Sequence, residues 1–365
     1  MMRLFGVKGE KNGTKKRIGH PGIIDAMSST PTLRAFAIAL CLCGLLGAPT
    51  QAQSFSGRPE LAALREELIR EHGYPADEFD ALFAQVQRQD RVIALMDAPI
   101  RAPTPWHVYW PRHIGGDRMQ RGLEFLTRHA DHFARAEQTY GVPRSVIAAI
   151  IGVETVYGRI TGSTRIVDAL ATLAFDYPRR AEFFRGELKE FLLLARDLKR
   201  SPLEFRGSFA GAMGWPQFMP GSYRRFAVDF DQDGRTDLWN SPADIIGSVA
   251  SFLAAHGWQR GEPVMLPVKP VSPAVAREFE GGLTTRRPWS DWVGAEVTVR
   301  ARDADVRAPK AEDSIGLISL DLADGSLDYW LAFENFYVIT RYNRSRLYAS
   351  AVWSLAYAFE QALRR

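Results

Sequence analysis

Glu154 is the residue from which acid–base chemistry can be argued first. Val146, Ile147, Ile150 and Ile151 fall on one face of a helix predicted from Pro143, and Glu154 continues that face at i+3 from Ile151 and i+4 from Ile150. A carboxyl aimed into an apolar face loses hydration, which disfavours its ionised form and raises its pKa. A general acid working near neutral pH needs that property. The competing reading is structural, an ion pair with Arg159 or Arg165.

A second group is built for a different task. Asp229, Asp231 and Asp233 alternate ahead of Gly234, with the carbonyl of Arg235 next and Asp237 and Asn240 further on. Hard oxygen donors at alternate positions and a glycine at the sharp turn are the pattern of a Ca²⁺ loop. Asn240 occupies the twelfth position, where a bidentate acid is usual, and this weakens the expected site. A solvent-exposed Asx-turn loop is the alternative. The ion would be structural, and no cofactor is expected for catalysis.

A third group suits a sugar groove. Arg179 and Arg180 open a predicted helix, and Gly207 to Gly221 (GSFAGAMGWPQFMPG) carries Ser208, Trp215, Gln217 and Phe218 in a glycine- and proline-broken segment. Aromatic faces can stack on pyranose rings while amides and hydroxyls fix their oxygens. His129 and His132 lie three apart on a helix with no acid or cysteine to complete a metal set, and read as surface residues. The chain has no P-loop, HExxH, GxSxG or dinucleotide fingerprint.

The elements that must hold these groups are mostly helical. Helices are predicted over Arg58 to His72, from Asp77 to Val86, as one long stretch from Asp117 to Tyr140, from Pro143, and over Ser163 to Phe175, Arg179 to Lys199, Pro242 to His256 and Arg346 to Leu363. Trp106 to Arg112 reads as an aromatic linker. Short strands are expected at Val264 to Val268, Val297 to Arg300, Ile315 to Asp321 and Tyr329 to Phe333, with a helical turn at Trp289 to Gly294. The resulting plan is a helical region over 53–140, a core over 141–260, a small β-containing insert over 261–334, and a C-terminal strand and helix over 335–365 that complete the core.

Composition limits the rest. The 365 residues are 46% apolar and 24% charged, a globular balance. Residues 1–52 hold seven Lys/Arg against Glu10 and Asp25, and the remaining 313 residues hold 39 basic and 40 acidic groups. The body has no net field to gather phosphate backbones, so no nucleic-acid partner is expected. Cys41 and Cys43 both sit in the apolar run Ala35 to Ala48, so the body has no thiol for a disulfide, a metal or nucleophilic attack. That run follows Arg34 and precedes Ala48-Pro-Thr-Gln-Ala52, as in a secretory signal cleaved near Ala52, with Met27 as an alternative start. A periplasmic location is the expectation.

Five ordered segments together carry a family resemblance: Ala149 to Arg159 (AIIGVETVYGR), Arg165 to Leu173 (RIVDALATL), Tyr177 to Phe183 (YPRRAEF), Gly207 to Pro220 (GSFAGAMGWPQFMP) and Tyr337 to Asn343 (YVITRYN). The chain resembles the lytic murein transglycosylase B family from about Trp106 to the final helix. The resemblance implies a lysozyme-like helical core and a peptidoglycan substrate, cleaved at the MurNAc–GlcNAc β-1,4 bond to leave a 1,6-anhydromuramyl end. It places Glu154 on the family's single acid/base. Tyr109, Arg179, Arg180, Ser208, Gln217, Tyr342, Asn343 and Tyr348 fall on groove positions, and the Asp229 loop falls on a Ca²⁺ loop. Phe183 stands where some members have Tyr, removing one hydroxyl. The expected partners are glycan strands, with cell-wall synthesis proteins as candidates and a monomeric state. The alternatives are a hydrolytic muramidase with Asp168 or Asp176 as second carboxylate, and a non-catalytic wall-binding protein.

Overall fold

In a computed structural model, the structure describes residues 55–98, 104–115, 117–279, 283, 286–292, 297–300 and 307–364. The predicted signal segment, the cleavage position at Ala52 and both cysteines lie outside the described residues.

The chain opens with α1 (Pro59–His72), α2 (Ala76–Phe83), α3 (Asp90–Met96), α4 (Trp106–Tyr109) and α5 (Pro111–Ile114). The aromatic linker is therefore helical, with Pro111 at the start of α5, where its missing N–H costs nothing. Then come α6 (Asp117–Arg128), α7 (Ala130–Tyr140) and α8 (Arg144–Thr155). The single long helix expected from Asp117 to Tyr140 is two, broken at His129, whose ψ is 30°. His129 is half-buried there, its ring tilted against Phe125 at 4.8 Å between centroids, and His132 is half-buried beside it. Both side chains keep part of their surface in solvent while packing on a neighbouring ring.

After α8 run β1 (Thr164–Arg165), α9 (Ile166–Asp176), a 3-10 turn (Pro178–Arg180), α10 (Ala181–Asp197), β2 (Arg206–Gly207), α11 (Pro220–Phe226) and α12 (Pro242–Ala255). β1 pairs antiparallel with β2, Thr164 opposite Gly207. The glycine-rich segment is a tight β-bridged loop, Met213 bridging both Gly207 and Phe218, and it ends where Pro220 starts α11.

The last third holds β3 (Met265–Pro270), α13 (Pro273–Glu278), β4 (Arg286–Pro288), a 3-10 turn (Trp289–Asp291), β5 (Val297–Val299), β6 (Ser314–Asp321), β7 (Leu327–Ala332), α14 (Glu334–Tyr342) and α15 (Arg346–Leu363). The strands form one antiparallel sheet in the order β4-β6-β7-β3-β5. Alternation along β6 splits two cores: Ile315 and Leu317 join a cluster with Trp292 and Phe333, whereas Ile318 and Leu320 join the main helical core. The strand expected near 335 is instead the helix α14.

At the centre α8 packs against α6, α12 and α15. The predicted one-sided stripe is too narrow, because Val146, Ile147, Ala148, Ala149, Ile150 and Ile151 are all fully buried. A helix apolar on every side belongs inside the molecule. Two glycines let its neighbours close in: a Cβ on Gly122 of α6 would lie 2.2 Å from the Phe359 ring, and one on Gly152 would lie 2.4 Å from the Tyr157 hydroxyl.

Candidate active site

Glu154 is the penultimate residue of α8, so its carboxyl sits at the negative end of that helix. Protein surrounds it densely, yet part of the side chain still reaches solvent. The Tyr348 hydroxyl donates to its Oε1 at 2.5 Å. Burial pushes its pKa up to about 7, and the Tyr348 hydrogen bond, which favours the ionised form, opposes that rise. No charged side chain contributes to the shift.

The structural alternative for Glu154 fails, because both arginines are engaged elsewhere. Arg159 donates to Asp117 at 2.5 Å, and Arg165 grips Asp168 with bonds of 2.7 and 2.8 Å. Asp168 also accepts from the Gln87 backbone N–H at 3.1 Å and from the Gln89 side chain at 3.3 Å. Asp176 is clamped by Arg58 and Arg88. Both carboxylates proposed for a muramidase therefore tie the N-terminal helices to α9.

Three tyrosines surround Glu154. Tyr348, on the first turn of α15, is almost fully buried, so it orients the carboxyl and offers no stacking face. Tyr342, at the end of α14, stacks on Tyr348 with ring planes 16° apart and donates its hydroxyl to the Pro216 carbonyl at 2.8 Å. Tyr109 of α4 is half-buried, and burial first, then the Glu154 charge, raises its phenol. Asn343 follows Tyr342 at the helix end and is exposed.

The glycine-rich loop docks onto the end of α8. The Thr155 hydroxyl donates to the Trp215 carbonyl at 3.0 Å, and the Gly158 N–H donates back to Thr155 Oγ1 at 3.1 Å. Val156, Tyr157 and Gly158 all have positive φ, 52°, 55° and 80°. A β-branched residue in that region is strained, and such strain persists only where the surroundings enforce it. Gly158 cannot be otherwise, since a Cβ would lie 2.1 Å from the Trp215 ring.

In the loop, Ser208 Oγ accepts from the N–H groups of Ala210 at 3.3 Å and Ala212 at 3.0 Å, leaving its proton free to donate. Gln217, at φ 54°, donates its amide to the Thr161 and Gly214 carbonyls at 3.2 and 2.9 Å, leaving its oxygen to accept. Phe218 does not fit the groove role expected of it. Only 2% exposed, it packs between Phe252 and Tyr342 and supports the Tyr342 ring from behind. Arg179 and Arg180 are exposed on the 3-10 turn, one paired with Asp97 and the other over the Phe183 ring at 4.3 Å. Neither acts on Glu154.

The acidic loop gathers differently from its sequence pattern. Ligand oxygens of Asp229, Asp231 and Asp244 lie within 4.8 Å of one another. Asp244, which the loop pattern misses because it lies beyond the twelfth position on α12, also accepts from Phe230 N and Asp237 N at 2.7 Å each. Asp237 accepts from the backbone N–H of Trp239 and Asn240 and from the Asn240 side chain at 2.9 Å, and Asp233 accepts from Arg235 N at 2.8 Å. Asn240 thus braces the loop. Three converging carboxylates, one of them buried with its pKa raised by desolvation, are a hard-oxygen donor set suited to Ca²⁺.

Missed entirely in sequence was Arg118, whose Nε donates to the Gly152 carbonyl at 3.0 Å and so caps the last turn of α8. No motif announces it, because the partner is a backbone oxygen distant in sequence.

The fold is that of a glycan-cleaving enzyme with a lysozyme-like helical core, and Glu154 sits at the end of its buried helix. The chain belongs to the Transglycosylase SLT domain family, which matches residues 56–357. It is 42% identical over 313 residues to the membrane-bound lytic murein transglycosylase B of Escherichia coli K12, covering 83% of each chain. It resembles the crystal structure of soluble lytic transglycosylase SltB1 from Pseudomonas aeruginosa with TM-score 0.78 and 41% identity, covering 84% of this chain and 100% of that one. The E. coli lytic transglycosylase Slt35 in complex with calcium matches with TM-score 0.75 and 40% identity, covering 86% and 97%.

Proposed function

We propose that Glu154 alone performs both proton transfers of a non-hydrolytic cleavage. Membership of its family makes the chain a peptidoglycan lytic transglycosylase; the roles of individual residues are our reading. The protonated Glu154 donates to the glycosidic oxygen between MurNAc and GlcNAc as the bond to C1 breaks, leaving an oxocarbenium-like or oxazolinium centre on MurNAc. The resulting carboxylate then takes the proton of the C6 hydroxyl while that oxygen closes on C1, giving the 1,6-anhydro ring. Atoms balance without water.

One observation carries this reading: a carboxyl raised to about 7 by burial, hydrogen-bonded to Tyr348, with no second carboxylate acting on it. Ordinary glycosidases use a pair of carboxylates to engage water or a covalent intermediate. Here the substrate's own hydroxyl is the nucleophile, and orientation supplies much of the rate. Ser208 donates to the N-acetyl carbonyl, Gln217 and Asn343 position sugar hydroxyls, and Tyr109 and Tyr342 wall the groove. Arg179 and Arg180 meet the strand further out.

Asp229, Asp231 and Asp244 would hold a Ca²⁺ that stabilises the loop ahead of α12, with no part in the reaction. Residues 1–52 direct export to the periplasm, and no helix among the described residues is long and apolar enough to cross a membrane. Segment 261–334 is read as an insert into a core formed by 141–260 and 335–365, and the enzyme as a monomer that meets cell-wall synthesis proteins on the same polymer.

Digestion of sacculi in oxygen-labelled water tests the chemistry. Anhydro ends should form without label; labelled reducing ends would overturn the reading.

A further inference from the structure

The break between α4 and α5 leaves a polar atom to be satisfied beside the cleft. Pro111 has no N–H, and the His113 N–H donates to the Trp110 carbonyl at 2.9 Å, so no backbone donor reaches the Tyr109 carbonyl among the described residues. The imidazole of His113 takes that place, its Nδ1 lying 2.9 Å from the Tyr109 oxygen. A carbonyl can only accept, so Nδ1 carries the proton and donates it. Burial holds the imidazole below its ordinary pKa, with Arg118 and Arg112 adding to that and the Tyr109 carbonyl opposing it.

The same imidazole covers the phenol. Its ring lies 4.1 Å from that of Tyr109 with the planes 17° apart, whereas Trp106 stacks on Tyr109 from farther off, at 6.4 Å. The Tyr109 hydroxyl makes no hydrogen bond among the described residues, yet the phenol feels the Glu154 charge. Nothing polar fixes that ring in the cleft, and His113 is the close neighbour that limits its swing. α5 is itself anchored. Ile114 is buried in the main core, and the helix packs on α8 and α15, which carry Glu154 and Tyr348. His113 thus ties Tyr109 to the two helices that hold the working carboxyl and its hydrogen-bond partner.

We propose that His113 is a positioning residue for glycan binding: hydrogen-bonded to the Tyr109 backbone and stacked on its ring, it holds the phenol as a fixed wall of the cleft. The inference rests on the reading of Tyr109 as a groove residue.

The test is a double-mutant cycle on cleavage of soluble glycan strands, with folding followed by thermal unfolding. His113→Ala should lower kcat/KM about tenfold, the worth of one aromatic stack with one hydrogen bond, and the loss should lie in KM. His113→Phe keeps a ring over the phenol and spares the fold, so it should recover part of that loss. In a Tyr109→Ala background neither substitution should cost anything further, because no phenol is left to hold. A merely structural histidine would give equal losses in both backgrounds, and that additivity overturns the proposal. An unchanged KM in His113→Ala, where Tyr109→Ala raises it, also overturns the proposal and leaves Tyr109 a groove residue. An unchanged kcat/KM in Tyr109→Ala would instead overturn the groove reading, and the proposal with it.

Discussion

At the scale of single residues, the decisive quantity is the free energy of ionising Glu154 inside protein. Its pKa is raised, so the stability linked to it is present while the group is protonated, below the ordinary carboxylate range, and is lost as pH rises through about 7. Glu154→Gln keeps an acceptor for the Tyr348 hydroxyl and removes that loss. It should stabilise the fold at pH 8 by about 1–3 kcal/mol and much less at pH 4, read as a pH-dependent difference in thermal unfolding, while abolishing cleavage. Equal Tm differences at both pH values would contradict the burial argument.

Tyr348 provides the complementary test. Its hydrogen bond favours the ionised carboxylate, so Tyr348→Phe should push the Glu154 pKa higher and move the alkaline limb of kcat/KM to higher pH. The rate should also fall about tenfold through lost orientation. A limb displaced toward acid would mean the bond serves the protonated form.

At the scale of elements, the end of α8 depends on a backbone that few side chains tolerate. Gly158→Ala combines an unfavourable φ of 80° with a contact at 2.1 Å to the Trp215 ring. A loss of about 2–4 kcal/mol is expected from denaturant unfolding. A loss under about 1 kcal/mol would show that the turn can relax and that its strain does not hold the loop in place. For the acidic loop, millimolar Ca²⁺ should raise Tm, and Asp229→Ala should remove the rise. No rise in the unaltered protein would leave the loop a structural turn.

These elements also show what the amino-acid order makes legible. Apolar spacing locates α8, α12 and α15 because each repeats with the helical period and ends at a breaker or cap. It misses the division at His129, where no glycine or proline marks the break and a tilted contact of its ring with Phe125 accompanies it. It also misses α14, whose Tyr337 to Asn343 segment resembles a strand by β-branched and aromatic content but is drawn into a helix by tertiary packing. For the site, Glu154 is legible because its position on the apolar face is local. Its bond to Tyr348 across 194 residues is not. Phe218 looked like a groove aromatic because composition cannot tell which ring face is covered, and Asp244 escaped because the loop pattern ends before it.

At the scale of the whole molecule, the near-neutral body gives no net charge for substrate capture, and the strongly basic leader supports the proposed export to the periplasm. N-terminal sequencing of protein recovered from the periplasm should find a start close to Gln53, and recovery only from the cytoplasm with the leader retained would contradict the location. The N-terminal helices matter to the whole through Asp168 and Asp176, whose arginine and glutamine partners bind them to α9. Those carboxylates are thereby engaged in cohesion, which supports the proposal that Glu154 acts alone. The most direct measurement of that claim is the mass of muropeptides released from purified sacculi by the wild-type enzyme and by Glu154→Gln. We predict products one water lighter than hydrolysis would give, and none from the variant. Reducing-end products of full hydrolytic mass, or undiminished release by Glu154→Gln, would contradict it.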